Sequence, residues 1–233
     1  LGIPGLLQTL LLNAYSKKLY IYGPKGTHYF MKQIIKTFVP YNSIPLEIKE
    51  VSKGKVLETK DFIIESQPMK HSNPCNAYSF IEKSKLRINK AKLKKLKIKT
   101  KDQKQLSNLT KGKNIKLNGK TIKASSLTYK QEGRKIAIIF DTAINPNCHT
   151  LAKNSELIIS EAVYLKNEKD LAKLHEHLTA EQAGVIAKKA KAKKLYLAHL
   201  SQRYDGNEKL IANEAKTKFK NTIIAEDLMS IDL

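Results

Sequence analysis

The sequence predicts one layered α/β domain, and three observations support this. At 233 residues, the chain has the length of one domain with a substantial core. From Lys135 onward, apolar strand-like runs alternate with helical patterns, which is typical of parallel sheets covered by helices. Several of these runs end at a histidine or an acidic residue. In layered α/β folds the crevice beyond the strand ends usually holds the active site.

The first third of the chain predicts alternating helices and strands. After an apolar helix, we expect a strand at 18–22, a helix at 28–38 and further strands at 46–51, 55–57, 62–66 and 77–81. The loop Gly23-Pro24-Lys25-Gly26 before the second helix is compatible with a phosphate cradle. A tight turn is the simpler interpretation of a single G-P-x-G pattern.

The last hundred residues predict a strand–helix alternation. The expected strands are 135–140, 156–160, 194–199, 222–225 and 228–231, and the expected helices are 169–175, 180–191 and 208–218. Thr179, with Gln182 three residues later, forms the capping-box pattern that begins a helix. His177 therefore lies in the loop before that helix.

Positive charge is concentrated in one segment. The net charge is +22, and residues 83–120 contain fourteen lysines and Arg87 against the single acidic residue Asp102, a local charge of +14. This segment predicts an inserted basic arm that binds a polyanion, with nucleic acid favoured over a membrane surface. The alternative is a lysine-rich solvated surface. The candidate RNA contacts in the arm are Arg87, Lys94, Lys95 and Lys97.

Cysteine content and hydropathy favour a cytoplasmic protein. The two cysteines, Cys75 and Cys148, cannot form a disulfide scaffold and fit a reducing compartment. No apolar run in the sequence has the length of a membrane span. Cys75 lies close to His71 in sequence, but a buried thiol is the more common role for a lone cysteine.

Three residues at predicted strand ends form a candidate metal site. His71 follows the strand at 62–66, Asp141 follows the strand at 135–140, and His199 ends the strand at 194–199. Taken singly, each is as easily explained as an ordinary loop or core residue. Together they provide the imidazole and carboxylate donors that suit zinc, and a carboxylate can bridge two ions. Two zinc ions need more ligands than these three.

Other polar residues near the predicted strand ends suggest catalytic and phosphate-binding roles. His177 is placed to act as a general acid, with Glu161 as a residue that could orient it, whereas His175 is expected to be a surface residue. Arg203 and Tyr204 follow His199 directly. They could hold a phosphate and stack on a base.

Seven segments of the sequence together resemble the ribonuclease Z family, the tRNA 3′-processing endonucleases of the metallo-β-lactamase superfamily. The resemblance covers nearly the whole chain. The segments are Leu1-Gly2-Ile3-Pro4-Gly5-Leu6-Leu7, Tyr22-Gly23-Pro24-Lys25-Gly26, the His71 loop, Phe140-Asp141-Thr142, Ser160-Glu161-Ala162, His177-Leu178-Thr179 and Ala198-His199-Leu200-Ser201-Gln202-Arg203-Tyr204.

The resemblance implies a four-layer αββα sandwich and a di-zinc endonuclease that cuts precursor tRNA after the discriminator nucleotide, leaving a 3′-hydroxyl. It implies that His71 is a ligand of the first zinc, His199 of the second, and Asp141 the bridge. It further implies that His177 is the proton donor and that Arg203 contacts a phosphate. It also implies a homodimer, in which the arm of one subunit grips the tRNA elbow while the other subunit cleaves.

Two departures from the family pattern modify this expectation. The family's H-x-H-x-D-H motif, which precedes L-G-I-P-G, is absent, so we expect the N-terminal strands and this motif to lie upstream of the given sequence. The fragment by itself is then expected to be inactive. The arm also lacks the family's Gly-Pro-rich segment at 98–109. The alternatives are a tRNA-binding relative without metal and a phosphodiesterase of the same fold with another substrate.

Overall fold

The chain divides into two compact units. The computed structural model describes residues 2–39, 41, 43–96, 103–117 and 119–233. The first unit comprises Leu1–Thr59, Ile63–Ile81 and Lys135–Leu233, and the second comprises Lys60–Phe62 and Glu82–Arg134. The sequence-predicted arm, residues 83–120, lies within the second unit, which continues to Arg134.

Strands and helices are numbered in chain order. The strands are β1 (Leu19–Gly23), β2 (Leu46–Glu50), β3 (Gly54–Glu58), β4 (Phe62–Met69), β5 (Cys75–Glu82), β6 (Lys85–Ile88), β7 (Ile115–Leu117), β8 (Lys120–Ile122), β9 (Thr128–Gln131), β10 (Lys135–Ile139), β11 (Leu157–Glu161), β12 (Lys194–Ala198) and β13 (Thr222–Ile224). The helices are α1 (Gly2–Leu12), α2 (Thr27–Phe38), α3 (Lys90–Lys94), α4 (Gln103–Thr110), α5 (Ala124–Leu127), α6 (Pro146–Ala152), α7 (Lys169–Leu174), α8 (Ala180–Ala190) and α9 (Glu208–Lys216). Within the described residues, no helix combines the length and apolar character needed to cross a bilayer.

The large sheet of the first unit contains seven strands in the order β13-β12-β11-β10-β5-β4-β3. Strands β10 to β13 are parallel, whereas β5 runs antiparallel to β10. Parallel neighbours require crossover connections, and α6, α8 and α9 lie in those connections. The carboxyl ends of β10, β11 and β12 therefore meet at one edge of the sheet.

The main core lies between this sheet and its crossover helices. Leu151 of α6, Ile186 of α8 and Ile211 of α9 pack in one buried cluster with residues of the parallel strands. Helices α8 and α9 approach so closely that a Cβ on Gly184 would lie 2.6 Å from the carbonyl oxygen of Ala215. Glycine at this position permits the close contact between the two helices.

A second, smaller sheet completes the layers. Strands β1 and β2 pair in parallel, and Leu7 of α1 and Met31 of α2 are buried in a cluster that includes apolar residues of both strands. The hydroxyl of Tyr78 on β5 donates a 3.2 Å hydrogen bond to the carbonyl of Tyr22 on β1. The layers are thus helix, small sheet, large sheet, helix, and the αββα prediction is confirmed.

The second unit has a small core of its own. Strands β6 and β9 pair antiparallel, and β7 and β8 form a hairpin. The buried apolar cluster of this unit includes Leu109, Ile115, Ala124 and Leu127. The Asn118-Gly119 pair between the apolar runs at 115–117 and 121–122 predicts the hairpin from sequence. The pattern does not predict β6, α4 or β9, because the few apolar residues of this segment are separated by many lysines.

Two sequence-based expectations about elements outside the arm differ from the structure. Residues 228–231 do not form a strand, and Leu228 has a positive φ of 63° that interrupts extended backbone. Helix α6 is absent from the elements expected above. Its start carries a recognisable signal, since Asn145 caps the helix by accepting a hydrogen bond from the Asn147 amide and Pro146 occupies the first turn.

Candidate metal centre

Four strand ends deliver polar side chains to one edge of the large sheet. Asp141 lies just beyond β10, His199 follows β12 directly, and His71 lies two residues beyond β4. Glu161 is the last residue of β11. Both Asp141 and His199 have positive φ angles, of 49° and 50°. This conformation turns the chain sharply after each strand, and such backbone geometry is often found at functional sites.

The structure brings the three candidate ligands together. Nε2 of His199 lies 3.0 Å from Oδ1 of Asp141. The ring centroid of His177 is 5.5 Å from that of His71 and 5.7 Å from that of His199. One ligand atom each from His71, Asp141 and His177 lie within 4.8 Å of one another.

The donor set fits a divalent metal with the preferences of zinc. Imidazole nitrogens and a carboxylate oxygen lie within 4.8 Å of one another, and zinc takes such donors in four-coordinate sites. Two four-coordinate ions would need more donors than His71, Asp141 and His199 provide. His177 is near enough to be a further ligand, and a carboxyl partner on its other ring nitrogen is compatible with metal binding.

Glu161 holds His177 in place. Nδ1 of His177 lies 2.8 Å from Oε2 of Glu161, whose side chain is completely buried. The carboxyl group also accepts hydrogen bonds from the backbone amides of Thr142, at 2.5 Å, and Leu178, at 3.3 Å. With Nδ1 occupied, Nε2 is the ring nitrogen available for proton transfer. Glu161 thus has the orienting position that the sequence suggested.

Burial shifts the pKa values of this pair in opposite directions. Burial raises the pKa of Glu161 to about 8, against the lowering effect of the two backbone amides. Burial likewise lowers the pKa of His177, partly offset by the nearby charge of Asp141. In both residues burial favours the neutral form, as expected for ionisable groups removed from water.

The backbone around His177 is fixed by the start of α8. Thr179 caps this helix, with its hydroxyl accepting from the Gln182 amide and the Gln182 side chain accepting from the Thr179 amide. This is the capping box predicted from sequence. The His177 amide donates to the carbonyl of Ala172, so the loop is held on both sides of the histidine.

Arg203 lies in a second polar cluster at this edge. Its Nη1 is 3.0 Å from Oε1 of Glu168, and its guanidinium carbon is 5.6 Å from the ring centroid of Tyr164. The Tyr164 ring also packs against His177, with 6.4 Å between centroids, and stacks on the exposed His175 at 6.3 Å. Sequence reasoning missed Glu168 and Tyr164, since neither carries a motif.

Tyr204 is not placed to stack on a base, contrary to the sequence-based expectation. Its side chain belongs to the main core and is only 8% exposed. Its hydroxyl donates to Oε2 of Glu168 and accepts from the amide of Leu165 at 3.2 Å. Burial and the Glu168 carboxylate raise the pKa of Tyr204 to about 12. The side chain therefore remains an uncharged hydrogen-bond donor directed into the protein.

The Gly-Pro loop before α2 acts as a turn rather than a phosphate cradle. Oε1 of Glu50 accepts hydrogen bonds of 3.0 Å from the amides of Gly26 and His28. The carboxylate thus occupies the position at the helix N-terminus that a phosphate would take.

The candidate RNA contacts of the arm lie in the second unit. Arg87 on β6 and Lys94 and Lys95, at the end of α3, are exposed, and Arg87 Nε donates to the side chain of Gln131 at 2.6 Å. Lys97 lies outside the described residues.

Comparison with solved structures identifies the fold class. The chain aligns with the short form of human tRNase Z at a TM-score of 0.64 and 22% identity, over 99% of this chain and 73% of that one. It aligns with the metallo-β-lactamase fold protein YhfI of Bacillus subtilis at a TM-score of 0.60 and 17% identity, over 96% and 68%. The protein therefore has the metallo-β-lactamase fold.

Sequence comparison identifies the family, although no family model matches the chain. The chain is 38% identical over 232 residues to the ribonuclease Z of Nanoarchaeum equitans, covering 100% of this chain and 72% of the relative. It is 32% identical over 237 residues to the ribonuclease Z of Bacillus velezensis, covering 99% and 76%. The chain belongs to the ribonuclease Z family.

Proposed function

We propose that this protein is a zinc-dependent endoribonuclease that removes the 3′ trailer from precursor tRNA and leaves a 3′-hydroxyl after the discriminator nucleotide. The observation that carries the proposal is the convergence of His71, Asp141 and His199 beside the buried Glu161–His177 pair. Membership of the ribonuclease Z family supplies the reaction class.

The metal ligands and the acid have separate roles. His71, Asp141 and His199 would hold zinc, which when bound activates a water molecule and neutralises charge on the phosphodiester. His177 lies beside these ligands and donates a proton through Nε2 to the 3′ oxygen of the discriminator nucleotide as the P–O3′ bond breaks. The phosphate remains on the trailer, and the tRNA keeps a 3′-hydroxyl.

Glu161 makes His177 an effective acid. The buried carboxyl group occupies Nδ1 of His177, so Nε2 is the ring nitrogen that carries the transferred proton. The carboxyl group also fixes the ring orientation at 2.8 Å. Orienting the imidazole in this way is the usual role of a carboxyl partner to a catalytic histidine.

The basic arm would dock the body of the tRNA. The charge of +14 over residues 83–120 and the exposed positions of Arg87, Lys94 and Lys95 suit contact with RNA phosphates. We further propose a homodimer, in which the arm of one subunit grips the tRNA elbow while the other subunit cleaves. Light scattering of the purified protein measures the number of subunits directly.

The test of activity uses the natural gene product that contains this chain. A precursor tRNA labelled at its 5′ end is incubated with the protein and zinc, with and without a chelator. We expect one cut after the discriminator nucleotide, abolished by the chelator, and a product whose terminal ribose is oxidised by periodate. Cleavage that persists without metal, a 3′-phosphate product or no cleavage would overturn the proposal.

A charge-matched pair of variants tests the arm. Replacing Lys90, Lys92, Lys94 and Lys95 by Gln should weaken tRNA binding and reduce the dependence of log affinity on log salt by about one for each phosphate that the arm no longer neutralises. Hydrolysis of bis(p-nitrophenyl) phosphate should be unchanged. The control replaces four exposed lysines of the first unit, Lys153, Lys188, Lys189 and Lys191. Equally weakened binding in both variants would contradict a dedicated docking arm.

A further inference from the structure

We propose that Glu168 is a positioning residue that fixes the guanidinium of Arg203 for contact with a phosphate of the RNA. The inference rests on the proposed function and deepens it, because it identifies what holds the phosphate-binding arginine in place. Glu168 ends the short 3₁₀ turn Lys166–Glu168, and Arg203 lies in another, Gln202–Tyr204. An ion pair between Glu168 and Arg203 joins the two turns.

The carboxylate of Glu168 is held by a core residue as well as by Arg203. Oε2 of Glu168 accepts a hydrogen bond from the buried hydroxyl of Tyr204, and Oε1 lies 3.0 Å from Nη1 of Arg203. The Tyr204 hydroxyl in turn accepts from the amide of Leu165 at 3.2 Å. A carboxylate held by a core tyrosine has little freedom to turn away, so it offers the arginine one fixed partner.

The ring of Tyr164 covers one face of the Arg203 guanidinium group. The guanidinium carbon lies 5.6 Å from the ring centroid of Tyr164, a distance at which cation and ring attract each other. An arginine presents five N–H groups. With Nη1 directed at Glu168 and one face covered by Tyr164, the remaining N–H groups are left for a phosphate. The side chain of Arg203 is 53% exposed, so RNA can reach it.

The same tyrosine ring links this arginine to the proposed proton donor. Tyr164 packs against His177, with 6.4 Å between ring centroids, as well as against Arg203. The phosphate-binding group and the acid are therefore both set against one aromatic side chain. An arginine that is already held in place loses less side-chain freedom when the RNA binds, so the arrangement is expected to strengthen binding.

A structural role alone predicts a different result. Ion pairs between exposed side chains add little to stability, and the Arg203 side chain is half exposed. If Glu168 served only folding, its removal would change the melting temperature and leave RNA binding by the folded protein unchanged. If Glu168 positions Arg203, Glu168→Gln weakens RNA binding while the melting temperature stays nearly constant, because the amide oxygen of Gln can still accept from the Tyr204 hydroxyl.

The test compares Glu168→Gln with Glu181→Gln in the natural gene product. Glu181 also makes ion pairs at 3.0 Å, but with Lys166 and Lys218 rather than with Arg203. Glu168→Gln should raise the KM for precursor tRNA about tenfold with kcat nearly unchanged, because an interaction made equally before and during the reaction affects binding alone. Glu181→Gln should match the wild type.

A double-mutant cycle decides whether Glu168 acts through Arg203. Glu168→Gln combined with Arg203→Ala should bind no more weakly than Arg203→Ala alone. Additive effects on affinity, or Glu168→Gln kinetics equal to wild type, would overturn the inference. Equilibrium binding of uncleaved precursor tRNA in the presence of chelator gives a readout independent of cleavage. A wild-type protein that binds but does not cleave would therefore refute the proposed function while the cycle still tests Glu168.

Discussion

The candidate metal centre and the basic arm differ in where they place their ionisable side chains. At the site, Glu161 is completely buried and held by two backbone amides and His177. In the second unit, Lys94 and Lys95 are exposed, whereas the buried side chains include Leu109 and Ile115. One region fixes a few ionisable groups in the protein interior, and the other displays many charged groups at its surface.

The difference reflects what each proposed task requires. Proton transfer and metal binding need atoms placed to within a fraction of an ångström, and burial strengthens the interactions between them. Attraction of RNA phosphates acts over a Debye length of about 8–10 Å and tolerates side-chain motion. The site should therefore be sensitive to single atoms, and the arm to its small core and its total charge.

The largest expected effect on cleavage is that of removing His177, the proposed proton donor. His177→Ala should reduce precursor tRNA cleavage by a factor of about 10²–10⁴, because no other described side chain pairs with Glu161 in this position. Zinc content, measured by elemental analysis, should stay unchanged. The variant His175→Ala is the control, since His175 is exposed and stacks on Tyr164. Loss of zinc in His177→Ala would show that His177 is a metal ligand instead.

Shortening one buried side chain of the second unit should destabilise the arm. Leu109 is completely buried in the second unit, and Leu109→Ala should destabilise that unit by about 2–5 kcal/mol. Hydrogen exchange in residues 82–134 should rise, while zinc binding by the first unit stays constant. Leu174→Ala is the matched control because Leu174 is exposed. Unchanged exchange within the arm would show that its core does not hold it together.

The buried carboxyl group should give stability a measurable pH dependence. Burial raises the pKa of Glu161 from 4.5 to about 8, so its protonated form favours the folded state. That contribution is fully present below pH 4.5 and is lost as the pH rises through about 8. Between pH 5 and 9, metal-free wild type should lose on the order of a few kcal/mol relative to Glu161→Gln, measured by urea unfolding with chelator. A pH-independent difference between the two proteins would contradict this prediction.

The smallest effect should come from the helix cap beside His177. Thr179→Ala removes the hydroxyl that accepts from the Gln182 amide and should lower the free energy of unfolding by about 0.5–2 kcal/mol. Thr179→Ser keeps that hydroxyl and serves as the control. Thermal unfolding measures both variants, and equal stability would show that the cap contributes nothing measurable.

Much of the site could be predicted because its residues follow recognisable strands. His71, Asp141 and His199 each lie at or just beyond the end of an apolar run, and parallel strands bring their carboxyl ends to one edge. The capping box marked His177 as a loop residue. Glu168 and Tyr164 carried no such signal, since their partners are distant in sequence and an isolated glutamate or tyrosine is common on any surface.

The sequence pattern by itself determined the layered α/β class, the concentration of positive charge at 83–120 and the candidate metal ligands. These follow from periodicity, composition and residue type, which are local properties of the chain. Only the tertiary structure decided that Glu161 is buried against His177, that Tyr204 faces inward and that Glu50 fills the N-terminus of α2. Burial and long-range hydrogen bonds depend on which segments pack together, and that information is not contained in any one stretch of sequence.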